Sequence, residues 1–329
     1  MRAVSLFSGG LDSQLAIKLM LNQNIEIIAL HFISPFFGGD PTTKAAAAAL
    51  GIDLVSIEMD NDYLDILYNP RYGFGKNHNP CIDCHALMLK KAGELLPKLQ
   101  ASFIVTGEVL GQRPMSQNKS ALRNVEKLSG YMGLVLRPLS ALLLPVTIPE
   151  ESGWVDRNQL LNLDGRRRNR QLELAEQWGI HTYPAPAGGC LLTQKNFSQR
   201  LEKYLLVKHP QEISELELLK SGRHFYKDNH HLLVIGRNQS DNQHLQDLAA
   251  PEDLLLKVTD FPGPLALLRT LSDSGEQPDL YQAAGMLARY SDGKNESIVK
   301  VKLFSPVSPH TPDYIEVKPL APADMPASL

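Results

Sequence analysis

The stretch that most restricts what this chain can fold into is Ser8-Gly9-Gly10-Leu11-Asp12-Ser13. Ala3 to Phe7, just before it, is a short apolar run of the kind that makes a buried strand. After it, Leu15, Ile17, Leu19, Met20 and Leu21 fall mostly on one helix face. The two glycines therefore sit in a strand-to-helix turn. Such a turn presents backbone N–H groups and the positive end of a helix dipole, a setting suited to an oxyanion such as phosphate. Adjacent glycines let the backbone approach that anion closely because no Cβ intervenes, and Ser8 and Ser13 offer hydroxyl donors. The stretch is neither the GxxxxGK[ST] of a P-loop kinase nor the GxGxxG of a dinucleotide fold.

The alternation that begins here continues. Ile25–Phe32 reads as a second strand, Lys44–Leu50 as an alanine-rich helix closed by Gly51, and Ile52–Met59 as a third strand. Phe103–Glu108 supplies a fourth strand with its exit turn, and Val135–Leu139 a fifth. This predicts an α/β fold, a doubly wound parallel sheet with the ligand at the C-terminal strand ends. Asn61–Pro80 is polar and turn-rich, a loop near the site. Helices are predicted from Cys81 to Leu99 and from the arginine run at 165–170 to about Trp178, and Tyr183–Leu192 is a Pro/Gly-punctuated loop. From about Lys208, short strands (Arg223–Tyr226, Leu232–Ile235, Leu254–Val258, Ile298–Lys302) alternate with turns and two or three helices. The expected division is residues 1–207 and a smaller α+β domain at 208–329.

A chain of 329 residues accommodates two such cores. Its net charge of −3 gives no bulk nucleic-acid signal, so any such contact must come from local clusters. No signal peptide is visible, and the longest apolar run, Leu139–Val146, is too short to span a bilayer. Three cysteines make no disulfide scaffold, and their spacing points to metal or redox chemistry in a reducing compartment. A cytoplasmic location without a membrane partner is expected.

The hexapeptide resembles the SGGxDS signature of the PP-loop ATP pyrophosphatases, which split ATP into AMP and pyrophosphate while activating a carbonyl oxygen. The resemblance implies a Rossmann-like PP-loop fold, the adenine nucleotide alpha hydrolase architecture. It implies that Ser8, Gly9, Gly10, Asp12 and Ser13 hold ATP, with Asp12 managing Mg²⁺ and the phosphates.

Cys81 and Cys84 lie three apart at a helix start, so their sulfurs share a face and the helix dipole favours thiolates. Cys190 is remote, in a Gly-Gly-Cys turn. A zinc site with His85 or His78 is one reading. Two others deliver sulfur: the three thiolates hold a [4Fe–4S] cluster with one iron open, or Cys190 carries a persulfide that a CxxC cysteine resolves. A PP-loop followed by these motifs resembles the tRNA thiouridine synthetases. Asn79-Pro80-Cys81 and Gly189-Cys190 are similar to the tRNA 2-thiouridylases. The run Thr106-Gly107-Glu108-Val109-Leu110-Gly111-Gln112, with Ser116-Gln117, is similar to the 4-thiouridine synthases. Their cluster-dependent relatives use a CxxC plus one remote cysteine. The resemblance spans residues 1 to about 200. It adds His31, Gly107 and Gln112 to the nucleotide set and makes Asp12, Cys81, Cys84 and Cys190 the catalytic residues.

The 4-thiouridine synthases carry an RNA-binding domain ahead of the PP-loop. Here the loop begins at residue 8, so the RNA grip is expected elsewhere. Ser221-Gly222-Arg223-His224-Phe225, Leu233–Asn238 and Asp241–Leu245 resemble the RNA-binding module of the NFACT proteins of ribosome quality control. Arg223 and Arg237 would meet RNA there. Arg166, Arg167, Arg168 and Arg170, four arginines in five residues, oppose a helix dipole and so suit phosphates. The expected activity is ATP-dependent tRNA thiolation. Its sulfur comes from a cysteine desulfurase, a carrier protein or inorganic sulfide, and a homodimer is the candidate assembly. Three alternatives stand beside it: a PP-loop ligase or amidating enzyme, a non-catalytic RNA- or nucleotide-binding protein, and an ATP-independent, cluster-based removal of sulfur from thiouracil.

Overall fold

The computed structural model describes residues 1–185, 189–227, 230–272 and 277–329. The first glycine of the Gly-Gly-Cys motif, with Pro186 and Ala187, lies outside the described residues. The chain forms two compact units, Met1–Gln194 and Lys195–Leu329.

In the first unit, β1 (Arg2–Leu6), α1 (Leu11–Leu21), β2 (Glu26–Ile33), α2 (Thr42–Leu50) and β3 (Asp53–Glu58) follow the predicted alternation. The expected loop after β3 instead contains a helix, α3 (Asp62–Tyr68). Tyr63, Leu64 and Leu67 give it an apolar face, and all three are buried. The cysteine helix α4 (Cys81–Leu95), β4 (Phe103–Val105), α5 (Lys119–Ser129) and β5 (Val135–Leu136) come next. Strand β5 stops three residues short of prediction. Arg137 there turns its side chain into a buried ion-pair network, and Pro138 cannot donate to a ladder. A single-turn helix α6 (Ile148–Glu151) and α7 (Asn169–Gln177) complete the unit.

The sheet is parallel throughout, in the order β3-β2-β1-β4-β5. Successive side chains alternate between faces. Ala3, Ile27, Ala29, Phe103 and Val105 join one apolar core with α1, α2 and α7 residues such as Leu15, Ala46 and Leu174. The alternate residues Val4, Leu30 and Ile104 are also fully buried, and α4 packs against β1 and β4. A sheet covered on both faces leaves the strand ends for a ligand. The chain reverses its direction of travel across the sheet between β1 and β4, which makes the C-terminal ends of those two strands the switch-point crevice.

The second unit opens with α8 (Lys195–Val207). Its sheet comprises β6 (Arg223–Lys227), β7 (His231–Ile235), β8 (Leu254–Val258), β9 (Leu265–Thr270), β10 (Val299–Ser305) and β11 (Ser308–Val317). These run antiparallel in the order β11-β10-β8-β9-β7-β6. Helix α9 (Gln239–Asp247) packs on β9, and α10 (Leu280–Arg289) sets Ala284, Leu287 and Ala288 into the core on one sheet face. Strands β9 and β11 go beyond the prediction. Leu265–Leu268 is uniformly buried and so shows no alternation, while β11 carries Pro309 and Pro312, which it tolerates as an edge strand. Among the described residues no helix is long and apolar enough to cross a membrane.

Candidate active site

Three segments meet around the turn after β1. Gly9 has φ +72°, which only glycine adopts without strain, and a Cβ there would lie 3.0 Å from Thr43 Oγ1 at the start of α2. No side chain caps the N-terminus of α1, so its first amides are left for an external acceptor. Ser8 is exposed, and its hydroxyl accepts weakly from Gly10 N at 3.4 Å. Ser13 is buried and donates its hydroxyl back to Gly10 O at 2.8 Å, so it shapes the turn. Gln14, unmarked in the sequence reading, donates through one amide to both Gly9 O (2.7 Å) and Thr182 O (2.8 Å).

Strand β4 delivers the second segment. A Cβ at Gly107 would fall 2.6 Å from Ser13 N and 2.7 Å from the carbonyl carbon of Asp12, so this glycine is what lets the β4 exit touch the first turn of α1. Gln112 then donates from Nε2 to Asp12 Oδ2 at 3.0 Å, while Asp12 Oδ1 is buried without a hydrogen-bond partner among the described residues. An unpartnered carboxylate oxygen at a phosphate-type turn fits a hard cation such as Mg²⁺. His31 is engaged at both ring nitrogens, by Phe7 O (3.0 Å) and Gly38 O (2.7 Å), so it ties β2 to β1 and to its own following loop. We expect Gly107→Ala to weaken ATP binding more than tenfold and to cost about 1–3 kcal/mol by overpacking. A titration with a fluorescent ATP analogue checks this, with Gly39→Ala, where a Cβ meets nothing within 4 Å, as the unaffected control.

The third element is the start of α4. Asn79 donates from Nδ2 to Cys81 Sγ (3.1 Å), and buried Tyr63 donates its hydroxyl to Cys84 Sγ (3.2 Å). Asp83, between the two cysteines, accepts from the amides of Arg71 (2.7 Å) and Tyr72 (3.1 Å), which organises the preceding loop. The Cys190 segment is tied to the same place: Leu191 N donates to Phe36 O (2.8 Å) and Asn77 Nδ2 to Thr193 O (2.6 Å). As a result Cys81, Cys84 and Cys190 lie within electrostatic reach of one another, over 100 residues apart in sequence. All three are free thiols.

Their electrostatics correct the expectation that the helix dipole favours thiolates. Burial pushes the Cys84 thiol well above its ordinary value, and the neighbouring Cys190 and Cys81 sulfurs push the same way. Burial raises Cys190 to about 11, with Cys81 adding to it, while the amides of Leu192 and Thr193 and the Arg113 charge oppose. Desolvation exceeds a dipole effect worth roughly 1 kcal/mol. Among the described residues no set of three His, Cys, Asp or Glu side chains stands ready to hold a metal ion. By donor chemistry, though, three sulfurs within electrostatic reach of one another suit iron, whose positive charge would stabilise the thiolate forms that burial disfavours. Arg113 is a functional candidate the sequence reading missed. It adjoins Gln112, which holds Asp12, and its charge reaches Cys190.

Behind the site lies a buried ion network. Glu108, 8% exposed, accepts from His85 Nδ1 (2.9 Å) and Arg137 Nε (2.9 Å), and Arg137 also pairs with Glu126. Burial alone would raise the Glu108 carboxyl, but the Arg137 charge and the His85 contact outweigh it and hold it at about 2. The network joins α4 to the β4 exit. Helix α7 starts at Asn169, so Arg166 and Arg167 precede it and Arg168 occupies its cap position. Arg166 and Arg167 are exposed, Arg170 pairs with Glu173 (2.9 Å), and Gly165 N donates to Leu110 O (2.7 Å). The arginine run thus adjoins the Gly107–Gln112 turn. Arg223 and Arg237 line a groove of the second unit.

Two family models match this chain, one in each unit. Residues 1–142 match the profile "Thiamine biosynthesis protein (ThiI)", and residues 222–328 match "NFACT protein RNA binding domain". A tRNA sulfurtransferase of Desulfurococcus amylolyticus is 29% identical over 42% of this chain and 29% of its own length. A tRNA-specific 2-thiouridylase MnmA of Nitratidesulfovibrio vulgaris is 31% identical over 34% of this chain and 36% of its own. The chain therefore spans about a third of the length of these curated relatives. The solved C-terminal structure of a Streptococcus suis fibronectin/fibrinogen-binding protein covers 47% of this chain and 76% of its own, at 14% identity and a TM-score of 0.27, too distant to bear on function. Residues 1–142 are thus similar to proteins of tRNA thiolation, and residues 222–328 to NFACT protein RNA-binding domains.

Proposed function

We propose that this chain is an ATP-dependent tRNA sulfurtransferase. The observation that carries the reading is the gathering of Cys81, Cys84 and Cys190 beside a turn whose glycines, uncapped amides and half-free Asp12 suit a triphosphate. The target uridine is extruded from its stack, since chemistry on a base requires access to it. Its carbonyl oxygen attacks the α-phosphorus of ATP, pyrophosphate leaves, and the ring nitrogen gives up its proton. Hydrosulfide then attacks the activated carbon and AMP departs, so oxygen is exchanged for sulfur with no net redox change. Adenylation is needed because a carbonyl oxygen leaves poorly and AMP leaves well.

The chain's residues have separable parts in this scheme. The α1 amides and Gly9 bind phosphate, and Asp12, oriented by Gln112, balances charge at the phosphates with Mg²⁺. Asn79 and Tyr63 orient the sulfurs of Cys81 and Cys84. The arginines at 166–168 meet the RNA backbone. Cys81, Cys84 and Cys190 would hold a [4Fe–4S] cluster, which supplies an open iron for sulfide. A second reading gains from the absence of a ready metal arrangement among the described residues. In it a Cys190 persulfide donates its outer sulfur, Cys81 closes a disulfide with Cys190, and a dithiol reductant restores both thiols. A reducing compartment, the cytoplasm, suits either route.

The test is anaerobic purification followed by iron and sulfide analysis, and incubation with tRNA, ATP and sulfide. We expect about four irons and four sulfides per chain with a broad band near 400 nm, and thiouridine, AMP and pyrophosphate in equal amounts. Iron-free protein that still thiolates from a persulfide donor establishes the second route. Zinc in place of iron, with no thiouridine formed, overturns the proposal.

A further inference from the structure

The loop between α3 and α4, residues 69–80, is closely fixed for so turn-rich a segment. The Arg71 and Tyr72 amides donate to Asp83. Within the loop, Gly75 N donates to Asn79 O (3.0 Å), Asn77 N to Asn79 Oδ1 (3.1 Å) and His78 Nε2 to Leu67 O (2.8 Å). Gly75 lies so near Asn79 that a Cβ would come 2.3 Å from Asn79 Nδ2. What this scaffold presents is Phe74. Its ring stacks on His78, with centroids 4.0 Å apart and planes at 29°, yet the residue is 37% exposed. Phe36 and Tyr63, the aromatic residues that border the cysteine segments from below, are 1% and 0% exposed.

A single exposed ring is ordinary on a protein surface. This one is set apart by its bracing and its position. His78 precedes Asn79, whose Nδ2 donates to Cys81 Sγ (3.1 Å), and Asn77 Nδ2 donates to Thr193 O (2.6 Å), three residues from Cys190. The stack is therefore tied to both cysteine segments. Arg71 and Lys76, exposed on the same loop, supply positive charge suited to a flanking phosphate. Unpaired bases stack on Phe and His faces, and a ring already held in place loses little freedom when a base settles on it. Stacking also suits sulfur exchange. It holds a uracil by one face, which leaves the in-plane carbonyl oxygen for ATP. The opposite face stays open to hydrosulfide, because a nucleophile adds to a carbonyl carbon from outside the ring plane.

We propose that Phe74, braced by His78, is the platform on which the reacting uracil ring stacks. The proposal rests on the sulfurtransferase reading for its choice of ring, and deepens it by naming a residue that positions the substrate at the cysteines. The chemistry recognised is a flat pyrimidine, and its source is either an unpaired nucleotide of tRNA or free uridine.

The experiment uses the full chain and two photoprobes, a short oligonucleotide carrying one 4-thiouridine and the 4-thiouridine nucleoside. Each is irradiated with long-wave ultraviolet light, and the crosslinked residues are mapped by peptide mass spectrometry. In the unaltered protein, crosslinks should fall on Phe74 or His78. Phe74→Leu keeps an apolar side chain but has no π face, and should reduce them about tenfold. Phe74→Tyr, which keeps the ring, should recover most of that loss. Crosslinking at the platform by the oligonucleotide but not the nucleoside supports the proposal with tRNA as the source, and equal crosslinking by both supports it with the free ring as the source. Crosslinks confined to other residues overturn the proposal without reference to any variant. So does a yield in Phe74→Leu equal to the unaltered protein, or a loss in Phe74→Tyr as deep as in Phe74→Leu. Thiouridine formation in the same preparations separates this from the functional reading. Platform crosslinks without thiolation defeat only the sulfurtransferase, and thiolation with crosslinks elsewhere defeats only the platform.

Discussion

Replacing Cys190 with serine should abolish thiouridine formation, by three orders of magnitude or more, as when an enzyme loses a reacting nucleophile. The serine hydroxyl is close in size, so the segment should keep its ties from Leu191 N to Phe36 O and from Asn77 to Thr193 O. In the proposed reaction, formation of the adenylated base draws on the Gly9 turn and Asp12, not on sulfur. The variant should therefore still release pyrophosphate from ATP in the presence of tRNA. Measuring pyrophosphate and thiouridine side by side gives the decisive contrast. Loss of both would mean that the cysteine supports the fold, and retention of both would remove it from sulfur transfer. If the three sulfurs share a cluster, the same variant loses iron, and Cys84→Ser loses it too.

The second large effect concerns stability. Glu108→Gln should lower the stability of the first unit by about 3 kcal/mol, the lower end of what breaking a buried ion pair costs. The lower end applies because Arg137 keeps Glu126. In a unit of this size that corresponds to a fall in melting temperature of roughly 10 °C. The pH dependence follows from the direction of the shift. The Glu108 carboxyl titrates at about 2 in the folded protein against 4.5 ordinarily. Its contribution is therefore complete above about pH 5 and is lost as pH falls toward 2. Melting curves between pH 7 and 3 should show wild type and Glu108→Gln converging as the pH drops. A constant gap would show that Glu108 acts through packing rather than charge. Since His85 sits next to Cys84 and bonds to Glu108, the variant should also loosen the cysteine helix, visible as faster thiol alkylation at neutral pH.

Local chemistry carried much of this molecule in plain view. A glycine pair between an apolar strand and a helix reads as a tight strand-to-helix turn, and Gly9 at φ +72° has the backbone that requires glycine there. Parallel strands alternating with helices leave one topology class, and β1 to β5 occupy it. What went unread was whatever depended on partners distant in the chain. Helix α3 looked like loop because its three core residues acquire meaning only against neighbours such as Phe36, whose ring lies 5.6 Å from that of Tyr63. Tyr63 itself has no local signal marking it as a donor to Cys84, and neither has Arg113 as a charge near Cys190.

Local sequence was enough to place the glycine turn between β1 and α1, the alternation of strands and helices in the parallel sheet, the CxxC at a helix start and a second domain of different texture. These follow from nearest-neighbour sterics and from hydrophobic period, which a few adjacent residues express. It took the folded chain to bring Cys190 within electrostatic reach of Cys81 and Cys84, to raise by burial the Cys84 thiol that the helix dipole would lower, and to stack Arg223 on Tyr290. Distances across the fold and removal from water set those properties, and neither exists until the chain has closed on itself.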